Sequence, residues 1–136
     1  MSENAAILLP SDVHLESIFS RLPEDALGQA TAAEIASGKS VGFYFGPSVR
    51  EFMEIYPISR EAWDYEDERR QGTFKKLGIN DPHMIAFAYR SFETLQRLLA
   101  LLLPNEDGWF LDNDGGTRPI TKGIVEAKRH HDGSLY

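Results

Sequence analysis

The sequence predicts an α+β domain, rich in helix, built around a long central helix over about residues 82–103 and finished by a C-terminal β-hairpin or small antiparallel sheet. Three stretches carry that expectation. In PHMIAFAYRSFETLQRLLALLL, residues 82–103, the side chains Met84, Ala88, Phe92, Leu95, Leu99 and Leu102 recur at steps of three and four, the spacing of one helical face. In NEDGWFLDNDGGTRPIT, residues 105–121, two short strands at 109–111 and 118–121 flank a glycine-rich turn at 112–117. SVGFYF, residues 40–45, is a compact aromatic run suited to a pleated, half-buried strand over 41–45.

The central helix has both of its ends marked. Asp81 is an N-cap residue, and Pro82 stands at the first helical position, where a missing N–H costs nothing. Pro104 stops the run. Ile85, Phe87, Leu98, Leu101 and Leu103 widen the apolar stripe, while Arg90, Glu93 and Arg97 mark the wet face. So broad an apolar surface must be wrapped by other elements.

Along the rest of the chain, residues 1–10 read as a loose N-terminal tail, able to form a short strand or clip through Ala6, Ile7, Leu8 and Leu9. Ser11 or Asp12 caps a short helix that buries Leu15, Ile18, Phe19 and Leu22 and ends at Pro23. PEDALGQATAAEIASGK gives a pair of modest helices or one kinked helix. Thr31 and Glu34 have the spacing of a capping box there, and Gly38 is suited to the C-terminal end. Ser48 caps a helix over 49–56, with Val49, Phe52, Met53 and Tyr56 inward and Pro57 closing it. Ser59 caps a second, mostly solvent-facing helix over 60–71, and TFKKLGI adds a short helical turn before the central helix. Residues 122–136 read two ways. Ile120, Ile124, Ala127 and His131 share a helical face, whereas Gly123, Val125 and Ala127 fit a strand; a hairpin gains stability from a third strand, which favours the latter.

The chain of 136 residues is long enough for one globular domain, 1–136, with an ordinary core. It has no cysteine, which excludes disulfide scaffolds, thiolate zinc sites and cysteine nucleophiles. The longest apolar stretch is interrupted by Arg90, Glu93 and Arg97, so no membrane span is expected. MSENAAILLPSD lacks the basic region of a secretory signal, and a cytoplasmic protein is the expectation. Charge is uneven. Residues 1–68 hold 13 acids and 4 bases, a balance of −9; residues 69–136 hold 8 acids and 10 bases, a balance of +2, giving the total of −7. An acidic half repels phosphate backbones and steers basic proteins, so a basic protein partner is expected and nucleic acid is not.

The chemical motifs fail on inspection. AEIASGKS at 33–40 ends like a phosphate-binding loop. However, Ala33 replaces its first glycine, and a helix precedes and a strand follows, the reverse of the required order. Asp112, Asn113 and Asp114 resemble a calcium loop, yet counting from Asp112 puts Gly116 at position 5, Thr117 at 6 and Gly123 at 12, where ligands or a turn glycine belong. His130 and His131 are adjacent and point apart, with His14 and His83 remote in sequence. No serine sits in a nucleophile elbow. No catalytic residue, metal or cofactor is expected.

One stretch has the texture of an interface. Trp63 and Tyr65 stand among Asp64, Glu66, Asp67 and Glu68, an aromatic pair with an anionic rim. The plain structural alternative buries Trp63 and leaves the carboxylates as a solvated face. The expected function is an acidic protein-binding module, an inhibitor of a basic partner enzyme of the kind that an immunity protein provides against a toxin. Two alternatives are a small enzyme whose active site is assembled only in the fold, and a structural or assembly subunit of a phage or secretion apparatus.

Overall fold

Ala5 to Leu9 and Met84 to Tyr89 are unbroken apolar runs, without the alternation of a half-buried strand. A strand covered on both faces has no solvent side and so no reason to alternate. In the computed structural model, which describes residues 3–58, 78, 82–111 and 117–125, both runs are strands in the interior of a sheet. The described elements are β1 (Glu3–Leu9), α1 (Leu15–Phe19), α2 (Glu24–Leu27), α3 (Ala32–Ala36) and β2 (Val41–Tyr44). There follow a single 3-10 turn (Val49–Glu51), β3 (Phe52–Ile58), β4 (His83–Tyr89), α4 (Phe92–Leu102), β5 (Gly108–Leu111), β6 (Thr117–Thr121) and β7 (Ile124–Val125). The seven strands lie in the order β2-β3-β4-β1-β5-β6-β7, with every neighbouring pair antiparallel.

This architecture overturns the expected helix-rich domain around a helix at 82–103. The first part of that stretch is β4, and the helix begins only at Phe92. A run that is apolar at every position satisfies a helical spacing and a strand spacing alike, so the steps from Met84 to Ala88 to Phe92 do not discriminate. Pairing decides instead: β4 is hydrogen-bonded to β1 on one side and to β3 on the other. The expected loose tail at 1–10 is corrected for the same reason, since β1 lies fourth of seven in the sheet. A third correction concerns 49–56. Ser48 does cap Val49–Glu51, but only for one 3-10 turn, after which Met53 and Ile55 alternate with Phe52, Glu54 and Tyr56 along β3.

Other expectations hold. Thr31 and Glu34 form a reciprocal capping box on α3, and Gly38, at φ 120°, follows its C-terminus. Ile18, Phe19 and Leu22 are buried. The C-terminal hairpin is β5 and β6, and a third strand follows as β7, although Gly123, expected within it, lies in the turn before it and Ala127 is outside the described residues. The expected helices at 60–71 and 73–79 fall outside the described residues, apart from Gly78.

One face of the sheet carries Ile7, Ile55, Ile85, Phe87 and Phe110, which pack with Ile18, Phe19, Ile35, Leu95 and Leu99 of the helices into the main core. The other face carries Ala6, Leu8, Met84 and Leu111, with Trp109 packed against them. Arg21, between α1 and α2, donates to the Leu102 carbonyl at 2.7 Å and to Glu106 at 3.0 Å, so a cation closes the C-terminal end of α4.

Both described edges of the sheet are met by a glutamine from the helical side. Phe45 N–H bonds to the Glu51 carbonyl, and in that register the main chain of Gly42 points away from β3. Gln29 meets it there: its Nε2 donates to Gly42 O at 2.6 Å and its Oε1 accepts from Gly42 N at 3.4 Å, as a neighbouring strand would. At the far edge Lys122 and Gly123, with φ of 50° and 80°, form a two-residue turn of the primed type between β6 and β7. The Val125 carbonyl then faces outward and accepts from Gln96 Nε2 at 2.8 Å. Gly123 is required there twice over, because a Cβ would also lie 2.6 Å from the Leu99 carbonyl oxygen and 2.7 Å from the Ala100 Cα.

Gly123→Ala should therefore cost roughly 2 kcal/mol or more, from the left-handed backbone and from the lost approach of the turn to α4, measured as a fall in urea midpoint. Gln29→Ala should cost about 0.5–1.5 kcal/mol for the weakly held pair of bonds and open an edge. Hydrogen exchange at the Gly42 amide should accelerate, and sedimentation should show concentration-dependent self-association. An unchanged Gly42 amide in a strictly monomeric variant would show that Gln29 does not guard the edge.

Candidate functional site

Trp109 is paired on both sides, with Leu8 of β1 and with Pro119 of β6. β1 ends at Leu9 and the chain turns away at Pro10, while Pro119 sits opposite Trp109 in β6. Gly108 lets β5 come close to β1, since a Cβ there would lie 2.5 Å from the Leu8 carbonyl oxygen. Beside this junction lies a cleft of about 560 Å³, within the range of sites that hold a small ligand or a partner's side chain. Leu8, Pro10, Trp109 and Pro119 supply apolar walls, Ser11, Asp107 and Thr121 polar groups, and Gly78 also contributes. Leu8 is fully buried, Trp109 half-buried, and Asp107, Ser11 and Thr121 exposed. Asp107 Oδ1 accepts the Lys122 main-chain N–H at 3.0 Å, which holds the carboxylate in place. Asp107 is the only ionisable side chain among the described lining residues.

A second, charged hollow of about 350 Å³ lies where α4 begins, between Ser48, Arg50, Glu51, Glu93 and Arg97. Two of its charges, Glu51 and Arg97, hold the β2–β3 connection. Glu51 accepts the Ser48 N–H at 3.0 Å and the Arg97 guanidinium at 2.7 Å. Those bonds, the Ser48 amide first, hold its carboxyl below the ordinary 4.5. Arg97 lies 5.2 Å over the Phe45 ring; Arg90 lies 5.1 Å over Phe52 and donates to the Val49 carbonyl at 2.8 Å. Arg118, buried on the helix side, stacks 5.1 Å from the Phe110 ring centre. On the opposite face Tyr56 donates to Glu54, a bond that raises the phenol above 10.0.

The helical layer has an acidic outer surface. Asp12, Glu16, Glu24, Asp25 and Glu34 are all exposed. Arg21, the one base between residues 12 and 34, is turned to Glu106 and the end of α4. Lys39 lies 3.8 Å from Glu34, which is held below 4.5 chiefly by the Thr31 main-chain N–H of the capping box.

The residues singled out from sequence, Trp63, Asp64, Tyr65, Glu66, Asp67 and Glu68, lie outside the described residues. The strands that bracket them are paired at Ile58–Met84, next to Leu8–Met84 and Leu9–His83 in the sheet. The chain thus leaves and re-enters the sheet at the end where β1 gives way to Pro10. His130, His131 and the Asp112–Asn113–Asp114 run also fall outside the described residues, and no group able to hold a metal occurs among the described ones. His14 is exposed and bonded to Ser17 Oγ at 2.9 Å. Sequence reasoning treated Trp109 only as a strand residue and passed over the acids of the helical layer. The signal for the cleft was available in Pro10, Gly108 and Pro119, a strand end, a close approach and a rigid ring around one Trp.

No protein family, curated protein or solved structure matches this chain. No helix among the described residues is long and apolar enough to cross a membrane.

The depressed carboxyls of Glu34 and Glu51 carry a pH signature. A carboxyl lowered by folding contributes stability that is fully present above its unfolded value, near 4.5, and is lost as the pH falls through its folded value below that. Melting temperature should therefore drop on acidification below 4.5. The drop should be shallower in a Glu34→Gln, Glu51→Gln double variant, which has no charge to lose at these sites. Equal slopes in parent and variant would remove these two carboxylates from the acid response.

Proposed function

We propose that this protein is an acidic protein-binding module that inhibits a basic partner enzyme, as an immunity protein inhibits a toxin. The observation that carries the reading is the run of exposed carboxylates, Asp12, Glu16, Glu24, Asp25 and Glu34, on a layer whose one arginine is turned to another element. Such a surface raises the encounter rate with a positively charged protein and disfavours phosphate backbones. The cleft at Trp109 adds a recess with apolar walls and the Asp107 carboxylate, a composition suited to recognising a cationic group. In this reading Trp63 and Tyr65, with Asp64, Glu66, Asp67 and Glu68, in the sequence between β3 and β4, also bind the partner. A cytoplasmic setting, with a basic protein as the direct ligand and neither nucleic acid nor a membrane, belongs to the same reading.

The test begins with co-purification from the native host, followed by association kinetics of the purified pair at several salt concentrations. Reversing Glu16, Glu24 and Asp25 to lysine should slow association roughly tenfold and flatten its salt dependence, with little change in dissociation. Reversing Glu66, Asp67 and Glu68 is the companion arm. Thermal melts accompany each curve, and the first set should melt like the parent, because those side chains are in solvent. Association that ignores both salt and the two reversals would leave the acidity as a solubility feature and remove the inhibitor reading.

A further inference from the structure

We propose that the cleft beside Trp109 receives an arginine side chain of the partner; this rests on the protein-binding reading above and specifies its chemistry. Three features of the cleft select that occupant. The first is charge. Asp107 is exposed at the cleft, and no cation stands among the described lining residues. Its Oδ1 is already oriented by the Lys122 main-chain N–H at 3.0 Å, so the carboxylate meets a ligand without first being ordered. A purely apolar ligand would strip water from this carboxylate and return nothing, and an anion would be repelled by it and by a chain of net charge −7.

The second feature is surface. Trp109 is half-buried, and Pro10 and Pro119 are exposed. The indole gives a flat aromatic face, and the two pyrrolidine rings are apolar and rigid. They suit the methylene stem and the weakly hydrated planar guanidinium of arginine, which stacks on aromatic faces and pairs with a carboxylate in a two-bond fork. Lysine offers a compact, strongly hydrated ammonium that does neither as well. The third is capacity. Ser11 and Thr121 bring hydroxyl acceptors to the same cleft, matching a donor group with five N–H bonds. The volume of about 560 Å³ admits such a side chain together with part of its neighbours.

The experiment uses the full chain, labelled with nitrogen-15, and three capped tripeptides: glycine–arginine–glycine, its citrulline counterpart and its lysine counterpart. Citrulline keeps the shape of arginine and removes its charge. The arginine peptide should shift the Trp109 indole and the Gly108, Thr121 and Lys122 amides saturably, with a Kd on the order of millimolar. The citrulline peptide should bind roughly tenfold more weakly, and the lysine peptide should fall between. Asp107→Asn keeps an oxygen for the Lys122 N–H, so it should fold as the parent does while reducing the arginine peptide to the level of citrulline. Equal binding of arginine and citrulline, an unaffected Asp107→Asn variant, or shifts that map away from Trp109 would each overturn the inference. The wider reading fails separately. An arginine peptide that binds here while no basic protein associates in a salt-dependent way supports the cleft and sinks the inhibitor. Salt-dependent association of a basic protein, with no arginine binding at the cleft, does the reverse.

Discussion

β1 is flanked along its length by β4 and over its second half by β5, so almost everything else in the fold is placed by reference to it. Ile7, Leu8 and Leu9 are essentially without solvent contact, Ile7 and Leu9 toward the helices and Leu8 toward the other face. Since β4 and β5 both run antiparallel to β1, they run parallel to each other and no hairpin can join them. The connection must cross over β1 to reach its other side, and a helix is the usual means. That is the task of α4, which explains why Leu95, Leu98, Leu99 and Leu102 are buried while Arg97 stays at the surface and bonds Glu51. Arg21 at one end of α4 and the close approach of Gly123 to its Leu99 carbonyl tie the helix to its surroundings.

The features with functional meaning occur where the regular pairing around β1 stops. At β2 and β7 the outward main chain is met by Gln29 and Gln96, so the described edges are occupied by side-chain amides from the helical layer. At the end of β1 the interruption is left open. The chain turns away at Pro10, Gly108 brings β5 close to β1, and the cleft lies beside Trp109 and Pro119.

How far this was legible depends on which residues were asked. Local chemistry was readable: the Thr31–Glu34 capping box, the glycine at 38 and the pairing of β5 with β6 each depend on residues close to one another in sequence. The sheet was not. Met84 to Tyr89 and Ala5 to Leu9 are apolar on both faces, so they carry no period, and only their mutual pairing across some eighty residues distinguishes strand from helix. Residues 49–56 failed differently. Ser48 and Glu51 form a genuine helix-start motif, and nothing local says that it is used for a single turn before β3. The acidity of the first half was plain in the sequence. Its distribution over α1 to α3 was not, because surface carboxylates become a face only when the buried side of each short helix is known.

Placing the first strand in the middle of the sheet has a consequence for synthesis. The partners of Glu3–Leu9 are His83–Tyr89 and Gly108–Leu111, so a ribosome must add most of the chain before β1 has any strand to pair with. Until then Ala5, Ala6, Ile7, Leu8 and Leu9 form a short, uncharged, β-prone segment without a partner strand. Closing such distant pairs carries a large loop entropy before any contact rewards it, so folding is slow for the size of the domain. Glu3, Asn4 and Asp12 are the nearest polar brakes on aggregation during that interval. A substitution that disturbs Glu3–Leu9 would act on this waiting strand, not on a surface tail.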